Sequence, residues 1–292
     1  MIRELVIISG KGGTGKTSLT AALAVLAQRV VVADCDVDAA DLHMLLSPQI
    51  QEKQIFFSGH EAIIRPDDCS ACGICQNVCR FEAVHPEQNA GRAVYKIDPA
   101  ACEGCGVCIH FCPTAAIDFP ERRCGEWMLS QTRVGPMVHA RLGVAAENSG
   151  KLVSLVRREA RAMAERQDYS LILTDGPPGI GCPVIASVTG ASQVVVITEP
   201  TVSGEHDLGR VLALARHFAL PAAICVNKWD LNAEMTLRIE NKAQASGARI
   251  LGRIRYDSGV TRAMLLGKSI VEIETPAAED IRTIWSQLDH AK

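Results

Sequence analysis

The stretch Gly10-Lys11-Gly12-Gly13-Thr14-Gly15-Lys16-Thr17 decides how this chain is read. It follows a short β-rich run, Arg3 to Ser9, and opens onto Lys16 to Gln28, which is rich in alanine and leucine and reads as a helix. A second β-rich run, Val30 to Asp34, comes next. Strand, glycine loop, helix and parallel strand make the βαβ unit of a nucleotide-binding fold. Glycines let the backbone close around phosphates with its N–H groups turned inward, and the helix adds its positive end. On this reading Gly10, Lys11, Gly12, Gly13, Thr14, Gly15, Lys16, Thr17 and Ser18 surround ATP or ADP. Lys16 meets the β- and γ-phosphates, and Thr17 offers its hydroxyl to Mg²⁺.

Working outward, Leu171 to Thr174 is an apolar strand that delivers Asp175 at its C-terminal end, followed by Gly176-Pro177-Pro178-Gly179. Nucleotide folds place ligands at that end of their strands, so Asp175 is expected to hold Mg²⁺ and the turn to sense the γ-phosphate. Asp34-Cys35-Asp36-Val37-Asp38 follows the second strand. Asp36 is the candidate for positioning the attacking water, and Asp34 is a further candidate metal ligand. Asp38 and Asp41 read best as a solvated turn. Asn227 follows another strand; its amide either meets the adenine edge or simply closes a turn. Glu205, His206 and Asp207 sit at a helix start, where acids are favoured electrostatically.

The rest of the 292 residues alternates between strand and helix. Strands are expected at 171–174, 194–198, 223–226 and 249–254, with one or two more within 127–142. Helices are expected at 151–165, 204–217, 235–245, 259–266 and 277–289. This predicts an α/β fold, a mostly parallel, doubly wound sheet with helices on both faces. The last helix carries Ile281, Ile284, Trp285 and Leu288 on one face and reads as docked on the protein rather than on a membrane. The composition, 48% hydrophobic and 22% charged, suits a globular chain, and the net charge of -3 argues against non-specific nucleic-acid binding. With no leader-like or membrane-length apolar run, a cytoplasmic location is expected.

Eight of the twelve cysteines fall in two runs, Cys69, Cys72, Cys75, Cys79 and Cys102, Cys105, Cys108, Cys112. Each reads C-x2-C-x2-C-x3-C, the spacing of bacterial two-cluster ferredoxins. In such proteins the fourth cysteine of each run serves the other cluster. One [4Fe–4S] cluster is therefore expected on Cys69, Cys72, Cys75 and Cys112, and a second on Cys79, Cys102, Cys105 and Cys108. Zinc would want two separated C-x2-C pairs instead. Residues 59–124 thus read as a small α+β, bacterial-ferredoxin-like insertion, and 1–58 with 125–292 as a discontinuous ATPase domain. Of the other cysteines, Cys225 reads as core, and Cys182 either as a small loop residue or as a ligand to a bridging cluster.

Together these motifs resemble the MinD/ParA/Mrp superfamily of deviant Walker A (SIMIBI-class) P-loop ATPases. The mark is Lys11. The resemblance implies that this lysine reaches across a dimer interface to the partner's nucleotide, so that ATP joins two copies into a homodimer. Asp34 to His43, Glu147 to Val153, Asp175 to Pro183 and Thr198 to Thr201 fit the members that carry an inserted ferredoxin domain; Arg255 stands where a proline is expected. The implied function is an ATPase whose Lys11, Lys16 and Asp36 are catalytic and whose nucleotide state gates electron flow through the two clusters to a redox partner protein. One alternative is a carrier delivering clusters to metallocofactor-assembly clients. Another is a positioning or partitioning ATPase with redox-sensing clusters. Neither nucleic acid nor membrane is expected as a partner.

Overall fold

The computed structural model describes residues 2–143 and 149–289. Glu147 and Asn148, part of one of the motifs above, lie outside them. The chain divides into two units. The first comprises Met1–Gln54, Glu126–Leu142 and Ser149–Lys292; the second is chiefly Ile55–Gly125. The sequence had set the insertion at 59–124.

The first unit is built on a nine-stranded sheet. Its strands are β1 (Arg3–Ser9), β2 (Val31–Asp34), β3 (Gln49–His60), β4 (Glu121–Thr132), β5 (Gly135–Leu142), β6 (Leu171–Pro178), β7 (Gln193–Thr198), β8 (Ala222–Asn227) and β9 (Arg249–Ile254). They lie in the order β9-β8-β7-β1-β6-β2-β5-β4-β3. From β9 through to β5 each neighbouring pair is parallel. The chain goes from β1 past β6 to β2, and later fills the other side with β7, β8 and β9. That reversal beside β1 opens a crevice at the strands' C-terminal ends, where nucleotide folds seat their ligand.

Strand alternation builds two cores from one sheet. Leu5, Ile7, Leu173 and Ile197 face the helices Lys16–Ala27 and Pro276–Asp289. Val6, Ile8, Val196 and Val226 face Cys182–Val188, Val202–His217 and Ala233–Ala245. Because both faces are covered, the central strands read as unbroken apolar runs. In the last helix Ile281, Ile284 and Leu288 are all buried, as expected for a docked helix. Among the described residues no helix is long and apolar enough to cross a membrane.

Among the described residues of the first unit, two α-helices and one strand were not anticipated, helix Cys182–Val188 among them. Helix Leu42–Leu46 is only five residues long. Strand β3 is almost wholly exposed and polar, so no alternation marks it.

The second unit has two short antiparallel pairs, Ile63–Ile64 with Ile117–Asp118 and Val84–Asn89 with Arg92–Ile97. Its halves repeat in structure as in sequence. Each cysteine run bends through a left-handed glycine, Gly73 (φ 75°) or Gly106 (φ 73°), into a short helix, Ile74–Val78 or Val107–His110. Ile64, Val84, Val94, Ile97 and Ile117 form its core together with Cys69 and Cys75.

Candidate functional site

The glycine loop runs from Ser9, at the end of β1, to Lys16, the first residue of its helix. Gly15 has φ 91°, and a Cβ there would stand 2.5 Å from Asn227 Nδ2. Gly10 has no such strain, but a Cβ would meet Asp207 Cβ at 2.4 Å. The loop is therefore pressed against β8 on one side and helix Val202–His217 on the other, and glycine is required at both contacts. Asn227 Nδ2 donates to the Thr14 carbonyl (2.8 Å), and its Oδ1 accepts from Lys228 N (3.0 Å). The Nδ2 end of that amide thus braces the glycine loop, and the Oδ1 end closes the turn into Lys228. Gly12 and Gly13 are exposed, and Ser18 is half-buried in the first helical turn.

Behind the loop the three acids and Lys16 converge. Lys16 Nζ donates to Asp36 Oδ2 (3.0 Å) and Asp175 Oδ1 (3.1 Å). Asp175 is fully buried and also accepts from Thr17 Oγ1 (2.8 Å) and Thr20 Oγ1 (2.9 Å). Asp34 accepts from the Asp36 backbone N–H at 3.2 Å. Burial pulls the Lys16 amine down, but the carboxylates of Asp175 and Asp36 outweigh it and hold its pKa above the usual lysine value. Burial raises the Asp36 carboxyl against the opposing pull of Lys16. Burial, and then the charge of Asp175, raise Asp34 well above the usual carboxylate range. Asp38 is exposed, as a solvated turn would have it.

Two buried oxygens here, Thr14 Oγ1 and Asp34 Oδ2, have no hydrogen-bond partner among the described residues. Orphaned polar atoms beside a glycine loop of this kind are satisfied by a ligand bound there. The donor set of Thr17, Asp175 and Asp34 is all oxygen, which fits Mg²⁺.

Lys11 lies at the outer side of the loop. Its Nζ donates to Ser203 Oγ (3.1 Å) and Thr201 Oγ1 (3.4 Å) and stands 3.6 Å from Glu199 Oε2, all in its own chain. Sequence reasoning missed two participants. Thr20 lies one turn beyond Lys16 on the same helix face, a spacing that could have revealed it. Glu199 falls in the stretch Thr198 to Thr201 noted for its resemblance, which gave it no role. Glu205 sits in the first turn of its helix and pairs with Arg238, in line with its electrostatic reading. Cys225 is core, whereas Cys182 is exposed at the start of its helix.

In the second unit the cysteines line two cavities. Cys69, Cys72, Cys75 and Cys112 line one, together with Ile64 and Ile117. Cys79, Cys102, Cys105 and Cys108 line the other, together with Val84 and Ile97. Among the described residues no three His, Cys, Asp or Glu side chains converge on a point that would hold a single metal ion. Cys112 Sγ accepts from the Ala116 N–H at 3.3 Å.

Fold and loop define a P-loop nucleotide-binding protein of the doubly wound class. Residues 5–270 match the CobQ/CobB/MinD/ParA nucleotide binding domain. The chain belongs to that family. An uncharacterized protein of Methanocaldococcus jannaschii is 34% identical over 241 residues, 80% of each chain. The cell division ATPase MinD of Pyrococcus furiosus superposes with a TM-score of 0.61 at 17% identity, covering all of both chains. The septum site-determining protein MinD of Pyrococcus horikoshii, solved with Mg-ADP, gives 0.60 at 17% identity, covering 99% and 96%. At these identities the structures speak for the fold.

Proposed function

We propose that this chain is a MinD/ParA-type switch: an ATPase that alternates between a monomer and an ATP-joined homodimer, and so engages and releases a partner protein. The observation that carries it is the convergence of Lys16, Thr17, Asp36 and Asp175 behind a glycine loop, with Thr14 Oγ1 and Asp34 Oδ2 left unpaired. Lys16 exchanges Asp36 and Asp175 for the β- and γ-phosphates. That frees Asp36 to orient water, while Lys11 supplies charge from the partner copy. Thr17, Asp175 and Asp34 would hold Mg²⁺, which neutralises phosphate charge. Where the sequence favoured electron transfer, the named relatives support positioning or partitioning more directly. Asn227 is assigned to bracing the loop, because its Nδ2 is held by the Thr14 carbonyl and its Oδ1 by the Lys228 N–H.

The test is ATP turnover and sedimentation of the full chain. Wild type is expected to hydrolyse MgATP and to dimerise with a non-hydrolysable analogue, and Asp36→Asn to dimerise without turnover. Turnover by Asp36→Asn at the wild-type rate would sink this assignment.

A second reading concerns the cysteines, and the two cavities favour it. Each is lined by four thiols, three from one run and one from the other, and this fits two [4Fe–4S] clusters with crossed ligands. Bound there, such clusters would carry or sense single electrons. Anaerobically purified protein is expected to hold about eight irons, and Cys112→Ser or Cys79→Ser to disturb one cluster each. Full occupancy in both variants would refute the crossed sets.

A further inference from the structure

The half-buried lysine of the glycine loop is not free. Lys11 Nζ reaches the Ser203 and Thr201 hydroxyls at 3.1 and 3.4 Å and the Glu199 carboxylate at 3.6 Å. Thr201 is the N-cap of helix Val202–His217, its hydroxyl accepting from the Gly204 N–H, and Ser203 lies in the first turn. This is the positive end of a sixteen-residue helix, where a second cation is electrostatically disfavoured. Glu199 offsets that. It follows Thr198 at the end of β7, its side chain is only 14% exposed, and Lys228 Nζ sits 2.5 Å from its other oxygen. Lys228 in turn is tied through Asn227 to Thr14 of the loop. A continuous chain of contacts, Thr14–Asn227–Lys228–Glu199–Lys11, therefore links two residues of the phosphate loop.

We propose that Glu199, with Ser203 and Thr201, is a docking position that holds Lys11 within its own chain when no nucleotide bridges two copies. Glu199 is thus a positioning residue for the dimer reaction. The proposal rests on the reading of Lys11 as the residue that crosses to a partner's nucleotide. The lysine has one ammonium and two competing anions, Glu199 in its own chain and the phosphates of the partner copy. Each contact made at home must be given up before the crossing contact forms, so the docked lysine opposes dimerisation. The partly compensated position beside a helix N-terminus keeps that opposition small. An ion pair at a partly exposed position contributes little, and ATP overcomes it.

Two readouts on the full-length protein separate this proposal from its parent. The first is the acylation rate of the Lys11 amine by acetic anhydride without nucleotide, read by peptide mass spectrometry. It is expected to rise at least about twofold in Glu199→Gln and in Ser203→Ala, as expected for release from a weak ion pair. The second is the monomer–dimer Kd with a non-hydrolysable MgATP analogue. It is expected to fall about threefold in Glu199→Gln, and that gain should vanish in Lys11→Ala/Glu199→Gln relative to Lys11→Ala. Ser203→Ala leaves the Glu199–Lys228 pair intact and gives the same direction should Glu199→Gln melt early. Unchanged acylation in both variants overturns the docking position. Faster acylation with an unchanged or weaker dimer overturns the competition. Lys11→Ala dimerising like wild type would instead remove the parent reading, while the acylation result would still decide where the lysine rests.

Discussion

At the scale of single residues, the site is a balance of buried charges around one ammonium. Lys16 holds two carboxylates that would otherwise face each other in the core, so its removal leaves them unpaired. Lys16→Ala is expected to abolish nucleotide binding and to lower stability by about 3–5 kcal/mol, read by titration with a fluorescent nucleotide and by denaturant melts. Lys11→Ala has a different signature because its contacts are superficial. Nucleotide binding is expected to persist while turnover falls by at least about 100-fold, as when a charge supplied from a second chain is lost. Turnover at the wild-type rate would remove the dimer mechanism. A third residue gives a pH effect. His139 is buried on β5, bonded to Ser130 Oγ at 2.8 Å, and burial, then the nearby His43, lower its pKa to about 4. The unfolded chain takes up that proton near pH 6.5 and the folded chain does so only near 4. The linked stability is therefore present above about pH 6.5 and lost as pH falls toward 4, on the order of 3 kcal/mol in all. His139→Gln is expected to flatten the fall of Tm across that window; an unchanged profile would show that other groups set it.

At the scale of elements, the parallel strands were legible because both faces of each are buried. A run such as Leu5-Val6-Ile7-Ile8 has no polar interruption, and the glycine loop fixes where it ends. The strand ends were less legible: β6 runs on to Pro178, past the turn read after Asp175, because pairing with β1 extends to Ser9. Strand β3 was invisible for the opposite reason, since its residues Gln49 to Gln54 all face solvent and carry no period. In the site, Lys16, Thr17 and Asp175 were readable from local motifs. Glu199 and Lys228 were not, because their role depends on three strand ends meeting in space. The C-terminal helix tests the packing argument. Ile284 is 1% exposed and faces the core shared with Leu5 and Ile7. Ile284→Ala is expected to cost about 2–5 kcal/mol without changing nucleotide affinity. A loss below about 1 kcal/mol would mean the helix is only loosely docked.

At the scale of the whole molecule, two units with separate cores share one chain that enters the second at Ile55 and returns after Gly125. The first unit has the constellation of a nucleotide-binding site. The second has little apolar core beyond its cysteine cavities, and bound metal stabilises small units of that kind. Metal that only stabilises and metal that communicates make opposite predictions. Linkage is reciprocal: if nucleotide binds more tightly to one redox state, the potential must move when nucleotide binds. A tenfold difference in affinity moves a one-electron couple by about 59 mV. If the cysteine pockets hold the proposed clusters, an anaerobic redox titration followed by EPR, with and without MgATP, is expected to show a shift of that size in at least one of them. The same shift should be absent in Lys16→Ala, which isolates nucleotide binding as its cause. Potentials that stay put in wild type would leave the clusters as a structural staple, and would make the choice of partner by the nucleotide state the whole of the switch.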